Sequence, residues 1–375
     1  MVASSIRTYK YRLFPTRRQA EALEQQLGEA CRLYNAAIQE RRDAWRMSRT
    51  RIDFYTQDKQ LKEIRAADDI SIPSFNTARH VLRRIDLAFQ AFFRRVKAGQ
   101  KPGYPRFRSR TRFDSLTFTI GHGAGIDNRL RLAGIGHVKG KWHRAIPEVV
   151  SLVHVKREAG RWYGCFVCEV EQQRLLESYE AIGIDVGLTS FATLSTGEAV
   201  ENPRYYRQAE RRLRLAQRRI ARRKRGSHRR NKAVRLLQRA HARIKNQRTN
   251  FHHQLSRRLV DRYGFIAVED LNVKGLASSK LAKSVNDAGW SSFMFQLTSK
   301  AESAGRELVR VDPRGTSQTC LCGASVPKRL SDREHVCTAC GLVADRDHVS
   351  AQVILQRART EPSGANVAGR TACVA

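Results

Sequence analysis

No apolar stretch of this chain approaches the ~20 residues that a membrane-spanning helix needs. Its first ten residues, Met1 to Lys10, hold no hydrophobic signal core. Both absences point to a cytoplasmic protein with no membrane partner. Cysteine is scarce: 8 among 375 residues is too few for a disulfide scaffold. Four of the eight fall between Cys320 and Cys340, a clustering that suits a metal better than oxidation. Acids are short as well. There are 35 Asp and Glu against 70 Lys and Arg, a formal net charge of +35. Such a surface repels itself unless a polyanion neutralises it, and each neutralised phosphate also releases counterions. Nucleic acid is therefore the expected partner, with a ribosomal or membrane-surface protein as the blander alternative.

What is present divides into a helical, a β-rich and a mixed stretch. Residues 6–13 alternate like a strand. Thr16 followed by Gln19 is a capping-box signature, after which Leu23, Leu27, Cys31, Tyr34 and Ile38 recur at helical spacing. A further helix is expected over 74–97, with Val81, Leu82, Ile85, Phe89, Phe92 and Val96 as its apolar face. Lys101 to Arg108 breaks the pattern, interleaving basic and aromatic side chains. Short strands are expected at 115–120, 126–132, 149–156 and 161–170. Buried-type strands follow at 181–185 and 265–268, then an amphipathic helix through Trp290, Phe293, Met294, Leu297 and Ala301. A strand at 307–312 and a short last helix complete the pattern, and 359–375 reads as a disordered tail.

Between Arg204 and Arg248 stand 19 Lys and Arg and one acid, Glu210. Leu213, Leu215, Ile220, Val234, Leu236, Leu237 and Ile244 give this run an apolar stripe, and Gly226-Ser227 punctuates it. A basic helical hairpin facing phosphate is the reading; a plain solvated face lacks a reason for so few acids. The candidate nucleic-acid contacts are Arg218, Arg219, Arg222, Arg223, Lys224 and Arg225 here. Arg106 and Arg108 are candidates in the basic turn, and Tyr11 and Arg12 in the first strand. His252-His253 reads as a solvated or phosphate-contacting pair.

Three acids sit where elements end or begin. Asp185 lies in Gly183-Ile-Asp-Val-Gly187, whose glycines allow close approach by backbone and substrate. Glu269 ends a second apolar strand, and Asp347 is expected to precede the last helix. Acids on neighbouring element ends can converge, and converged carboxylates need a cation such as Mg2+ or Mn2+. Two ions about 3.5–4 Å apart could activate water and stabilise a leaving oxygen. Gly-x-Asp-x-Gly also opens actin-like ATPases, and Asp345 and Asp270 are near rivals for Asp347 and Glu269.

Cys320-Leu-Cys322 and Cys337-Thr-Ala-Cys340 form two knuckles suited to structural Zn2+. The first is one residue tighter than usual, so His335 is the substitute ligand if Cys320 or Cys322 cannot reach. Free thiols are the alternative. Cys165 and Cys168 lie in a β-like run, point to opposite faces and read as packing; Cys31 reads as core and Cys373 as exposed.

Taken together, these motifs resemble the TnpB/OrfB family of transposon-encoded proteins. The resemblance is carried by Tyr9-Lys-Tyr-Arg-Leu-Phe-Pro15, Gly103-Tyr-Pro-Arg-Phe-Arg108, Gly183 to Gly187, Val268-Glu-Asp-Leu-Asn272, Thr316-Ser-Gln-Thr-Cys320, Cys337 to Gly341 and Asp345-Arg-Asp347. It covers about residues 6–357. The fold it implies is α+β and multidomain. A β-barrel-like wedge domain (1–13 and 100–178) carries an inserted helical recognition lobe (14–99). An RNase H-like (RuvC) α/β nuclease domain (179–313 and 344–358) carries a zinc-ribbon insert (314–343). The resemblance also implies a guide RNA from the transposon end and double-stranded target DNA beside a short motif. It gives Asp185, Glu269 and Asp347 the catalytic metal and places the protein with the nucleoid of a bacterium or archaeon. Two features depart from the family: the short first knuckle, and Val349-Ser-Ala351 where Asn-Ala-Ala is usual. A non-cutting RNA-guided repressor and a transposase acting on transposon ends are the alternative functions.

Overall fold

The structure is a computed structural model that describes residues 4–67, 69–172, 174–329 and 331–360. Most of the expected tail, with Cys373, lies outside the described residues. Arg359 and Thr360 do not belong to a tail, because they complete the last helix. The chain forms two compact units, Met1–Glu171 and Gln172–Ala375.

The first unit opens with β1 (Ser4–Phe14), then α1 (Arg17–Ser48), α2 (Phe54–Ala66) and α3 (Phe75–Lys97). Six strands follow: β2 (Ser115–Thr119), β3 (Ala124–Ile126), β4 (Leu130–Leu132), β5 (Gly136–Lys141), β6 (Val150–Glu158) and β7 (Arg161–Glu171). They build an antiparallel sheet in the order β2-β6-β7-β1-β5-β4-β3. One bridge, Ile120 to Ala124, ties its two edges together in the manner of a half-barrel. Strand β7 shows why alternation works: Trp162, Phe166 and Cys168 are buried, whereas Tyr163 and Cys165 face the other side. The two cysteines thus point apart, as their spacing predicts.

Helix α1 begins where the capping box says it should. The Thr16 hydroxyl accepts from the Gln19 amide, and the Gln19 side chain accepts from the Thr16 amide. All five of its expected core residues are buried. Helices and sheet share one continuous core. Two expectations need correction. Val96 is half exposed, because α3 outruns the core it packs on after Phe89. Residues 126–132 form the β3–β4 hairpin, turned at Asp127–Arg129, not one strand. Helix α2 carries no strong apolar period, since one of its three buried positions is Gln57. That amide donates to the Ala37 carbonyl and accepts from buried Arg41, whose guanidinium also pairs with Asp86.

The second unit contains β8 (Ala181–Val186), β9 (Ser190–Leu194), β10 (Ala199–Glu201), α4 (Tyr205–Ala221), α5 (His228–Arg262) and β11 (Phe265–Glu269). Next come α6 (Val273–Leu276), α7 (Ala282–Ala288), α8 (Trp290–Ala304) and β12 (Glu307–Val311). The hairpin β13 (Glu334–Val336) and β14 (Val343–Asp345) leads into α9 (Arg346–Thr360). The sheet runs β10-β9-β8-β11-β12, antiparallel on the β9 side and parallel through β8, β11 and β12. Parallel strands buried on both faces explain the unbroken apolar runs of β8 and β11. The basic hairpin is α4 and α5, turned at Gly226 and capped by Ser227. Leu213 and Ile244 are buried in it, whereas Leu215 and Leu236 are about half exposed and outside its seam.

Candidate active site and metal centre

The sheet register brings the first two acids together. Strands β8 and β11 run parallel with Ile184 beside Val268, so the next residues, Asp185 and Glu269, come side by side near the ends of neighbouring strands about 4.8 Å apart. Helix α9 lies across the same face. A Cβ on Gly183 would stand 2.0 Å from the Ala351 carbonyl oxygen and 2.9 Å from Leu355. That glycine therefore admits the backbone of α9, not a substrate. Asp185 lies two residues beyond Gly183, and Asp347 lies one helical turn before Ala351, so the two acids share one end of this contact. Asp347 is inside the first turn of α9 and does not precede it.

Electrostatics agrees with this placement. Burial, then the charges of Glu269 and Asp347, push the Asp185 carboxyl well above the usual carboxylate range, against the pull of Arg346. Burial also raises Glu269, opposed by a hydrogen bond from the Thr316 hydroxyl and by the Arg357 charge. A desolvated acid between two others is stable as a carboxylate only beside a cation. The two rivals have other occupations. Asp345 caps α9, accepting from the amides of Asp347 (2.9 Å) and His348 (3.0 Å). Asp270 pairs with Arg310 at 3.3 Å.

The three carboxylates are nevertheless not as close as a single cation requires. Octahedral Mg2+ holds ligand oxygens within about 4.2 Å of one another. Among the described residues, only the four cysteines bring three or more metal-ligating atoms within 4.8 Å of one another. Two ions, spaced as phosphodiester chemistry uses them, extend the reach to about 8 Å. Asp185, Glu269 and Asp347 are the oxygen donors that would hold such a pair of metal ions.

The cysteines converge fully. The Cys320 and Cys340 sulfurs are 3.6 Å apart, and those of Cys322 and Cys337 are 3.8 Å apart. A tetrahedron with Zn–S bonds of ~2.3 Å has edges of about 3.8 Å. The tight first knuckle thus reaches, and no substitute ligand is needed: the His335 Nδ1 contacts the Lys328 ammonium instead. The amide of Cys340, then that of Ala339, hold the Cys337 thiol down to about 7. Cys340 is pushed up to about 12: the Leu342 amide favours its thiolate, but three neighbouring sulfurs outweigh it. Four thiolates at this spacing need a cation. Arg346 joins the two sites: its amide donates to Arg333, and its guanidinium to the carbonyls of Arg329 and Asp332.

Comparison with known proteins agrees with the motifs. A protein from Streptomyces pristinaespiralis, named "Putative RNA-guided DNA endonuclease", is 35% identical over 362 residues, covering 93% of this chain and 88% of that one. The family model for OrfB of IS605 elements, described as a probable transposase, matches residues 165–280, and its helix-turn-helix model matches 1–50. This chain belongs to the TnpB/OrfB family. A further model, the TNB domain of Cas12f1-like proteins, matches residues 290–354 of this OrfB-family chain. InsQ of Escherichia coli K12, also named a "Putative RNA-guided DNA endonuclease", is 28% identical, covering 73% of this chain and 72% of InsQ. The CRISPR-associated endodeoxyribonuclease Cas12f1 of Sulfoacidibacillus thermotolerans is 29% identical, covering 54% of this chain and 52% of the relative. Within the helix-turn-helix match, the OrfB-family chain folds as strand β1 and the single helix α1.

The candidate nucleic-acid contacts of this OrfB-family chain sort by exposure. Arg106, Arg108, Arg218, Arg219, Arg222, Lys224 and Arg225 are exposed. Arg223 is half buried and bonded to the Arg229 carbonyl. Arg108 is fixed through its backbone, which exchanges hydrogen bonds of 2.8 and 2.9 Å with the Asn35 amide. Tyr11 is a correction. It is fully buried, edge-on to Trp142 and Phe166, and its hydroxyl donates to the Ala145 carbonyl. Its neighbour Arg12 is half buried and stacked over Phe14.

His252 is a second correction. It is fully buried among Phe191, Phe251 and Phe293, with Nε2 against the Ala288 carbonyl. Burial pushes its ring down to about 4. The unfolded histidine titrates near 6.5, so stability should fall by about 3 kcal/mol as pH drops from about 6.5 to about 4. Urea denaturation across that range checks this. His252→Phe should flatten the slope, and an unchanged slope contradicts the assignment.

Proposed function

We propose that this protein is an RNA-guided, divalent-metal-dependent DNA endonuclease carried by a transposon, with Asp185, Glu269 and Asp347 as its cutting site. The observation that carries the reading is the half-buried Asp185 carboxyl, set near the end of a strand beside Glu269 and crowded by the charges of Glu269 and Asp347. The relative from Streptomyces pristinaespiralis, which shares nearly the whole chain, bears the name of that activity. On this reading the second unit's sheet is the RuvC-like, RNase H-like core, and the cysteine cluster is a zinc ribbon set into it. The half-barrel sheet is the wedge, and α1 to α3 are the recognition lobe. The partners are a guide RNA from the transposon end and target DNA beside a short motif. Base pairing with the guide then reads sequence, while the protein reads the adjacent motif and duplex shape.

Asp185, Glu269 and Asp347 would hold Mg2+ or Mn2+, which when bound would supply an activated water and neutralise the leaving oxygen. The chain's own groups do the rest. Thr316 fixes Glu269 by donating to its carboxylate. Arg333 pairs with Asp347 at 4.0 Å, a charge contact that orients that carboxylate. The exposed cations of α4 and its following turn supply phosphate contacts. Retention of all three acids weighs against a non-cutting repressor. Burial of His252 weighs against a transposase built on a histidine pair.

The test is to purify the protein expressed beside its own transposon end and sequence the RNA that accompanies it. A defined transposon-end transcript, together with Mg2+- or Mn2+-dependent cutting of matched DNA alone, is expected. Heterogeneous RNA, or cutting that ignores the match, overturns the proposal.

A further inference from the structure

A cleft of about 400 Å³ opens beside Glu269, between the end of β11 and helix α8. One face of α8 lines it: Ser291, Met294, Phe295 and Thr298 recur at helical spacing, while Phe293, Leu297 and Ala301 turn into the core. Phe295 is 63% exposed. A lone exposed ring is ordinary on a protein surface. This one stands in a concave site whose lining also includes a candidate metal-binding acid, Glu269, and the cations Lys274 and Arg310. Arg310 is held by Asp270 and Thr298, which leave several of its five N–H donors for other partners. A polyanion with flat apolar groups is the ligand that matches acid-bound metal, cations and an open ring together. A nucleic-acid strand has that composition, and aromatic platforms accept any base.

We infer that this cleft seats an unpaired nucleobase next to the scissile phosphate of the cut strand. The base stacks on Phe295 with Met294 alongside, and Lys274 and Arg310 hold the adjoining phosphate. This rests on the reading of Glu269 as part of the cutting site. A base still paired in duplex cannot enter, so the cleft admits only a strand already opened. Stacking there fixes the rotation of the backbone over the ions, which makes Phe295 a positioning residue.

The test uses the complete ribonucleoprotein on target DNA carrying 2-aminopurine at each nucleotide in turn, in EDTA so that nothing is cut. Stacking should quench the probe at one position in the wild type and in Phe295→Trp, and not in Phe295→Ala. With Mg2+ restored, Phe295→Ala should cleave about 10-fold more slowly at saturating target, with guided binding unchanged and Phe295→Trp close to wild type. No quenched position in the wild type, or the same quenching in Phe295→Ala, overturns the subsite. Phe295-dependent quenching in a wild type that cannot cut would instead leave the subsite standing and remove the endonuclease assignment.

Discussion

Replacing Asp185 with alanine is expected to slow guided cleavage by about 10³-fold or more, a loss of about 4 kcal/mol in the transition state. Asp185 is the carboxylate most deeply desolvated and the one that both other acids crowd. On the proposed reading, removing it would take a ligand from the ions and leave two acids, too few to hold them over the phosphodiester. Guided binding should stay within about twofold, because phosphate contacts from the exposed cations carry it. Asp185→Asn separates charge from shape. It should cut as poorly as alanine, yet without divalent ions it should be more stable than wild type at pH 7. The sign follows from the raised carboxyl: a group held protonated in the folded state contributes stability at low pH and loses it as pH rises. A higher melting temperature for Asp185→Asn in EDTA, falling behind wild type once Mg2+ is added, is the expected pattern. Cleavage retained by Asp185→Ala would rule out the assigned site.

Loss of zinc should be the other large effect. The sulfur spacing of 3.6 to 3.8 Å is that of a filled tetrahedron. Structural zinc in small peptide folds binds with about 10–16 kcal/mol of apparent free energy, which becomes folding free energy. Cys337→Ser should therefore lower the bound zinc, measured by mass spectrometry, from one per chain to a small fraction. The consequence should reach the carboxylates as well. Hairpin β13–β14 delivers the chain into α9, and the Arg346 guanidinium is bonded to carbonyls on the same insert. An unravelled ribbon frees the first turn of α9 and with it Asp347. Cys337→Ser should cut poorly while binding its guide, and unchanged zinc content would remove the ribbon from the account.

How much of this was legible beforehand depends on whether a feature is local. The α1 capping box spans four residues of local chemistry, and it marks the helix start correctly. The apolar runs of β8 and β11 are legible because a parallel strand must be buried on both faces. The burial of Tyr11 is not legible in β1, because alternation tells which residues share a face, not which face is inside. Gly183 is visible as a glycine, but only the packed structure identifies Ala351 of α9 as what needs the space. Asp345 and Asp347 have the same residue type two positions apart; capping geometry alone separates them. Helix α2 escaped because its inward position Gln57 is polar, satisfied by partners 16 to 20 residues away. Val349, which departs from the family pattern, is fully buried, and Ser350 bonds the Arg346 carbonyl, so both fit the packing of α9.

The most direct measurement is an anomalous difference map of the ribonucleoprotein with Mn2+ and a non-cleavable target strand. Manganese peaks within bonding distance of Asp185, Glu269 and Asp347, with a phosphate oxygen between them, are the predicted result. Manganese bound elsewhere, with these three side chains still standing apart around no ion, would contradict it.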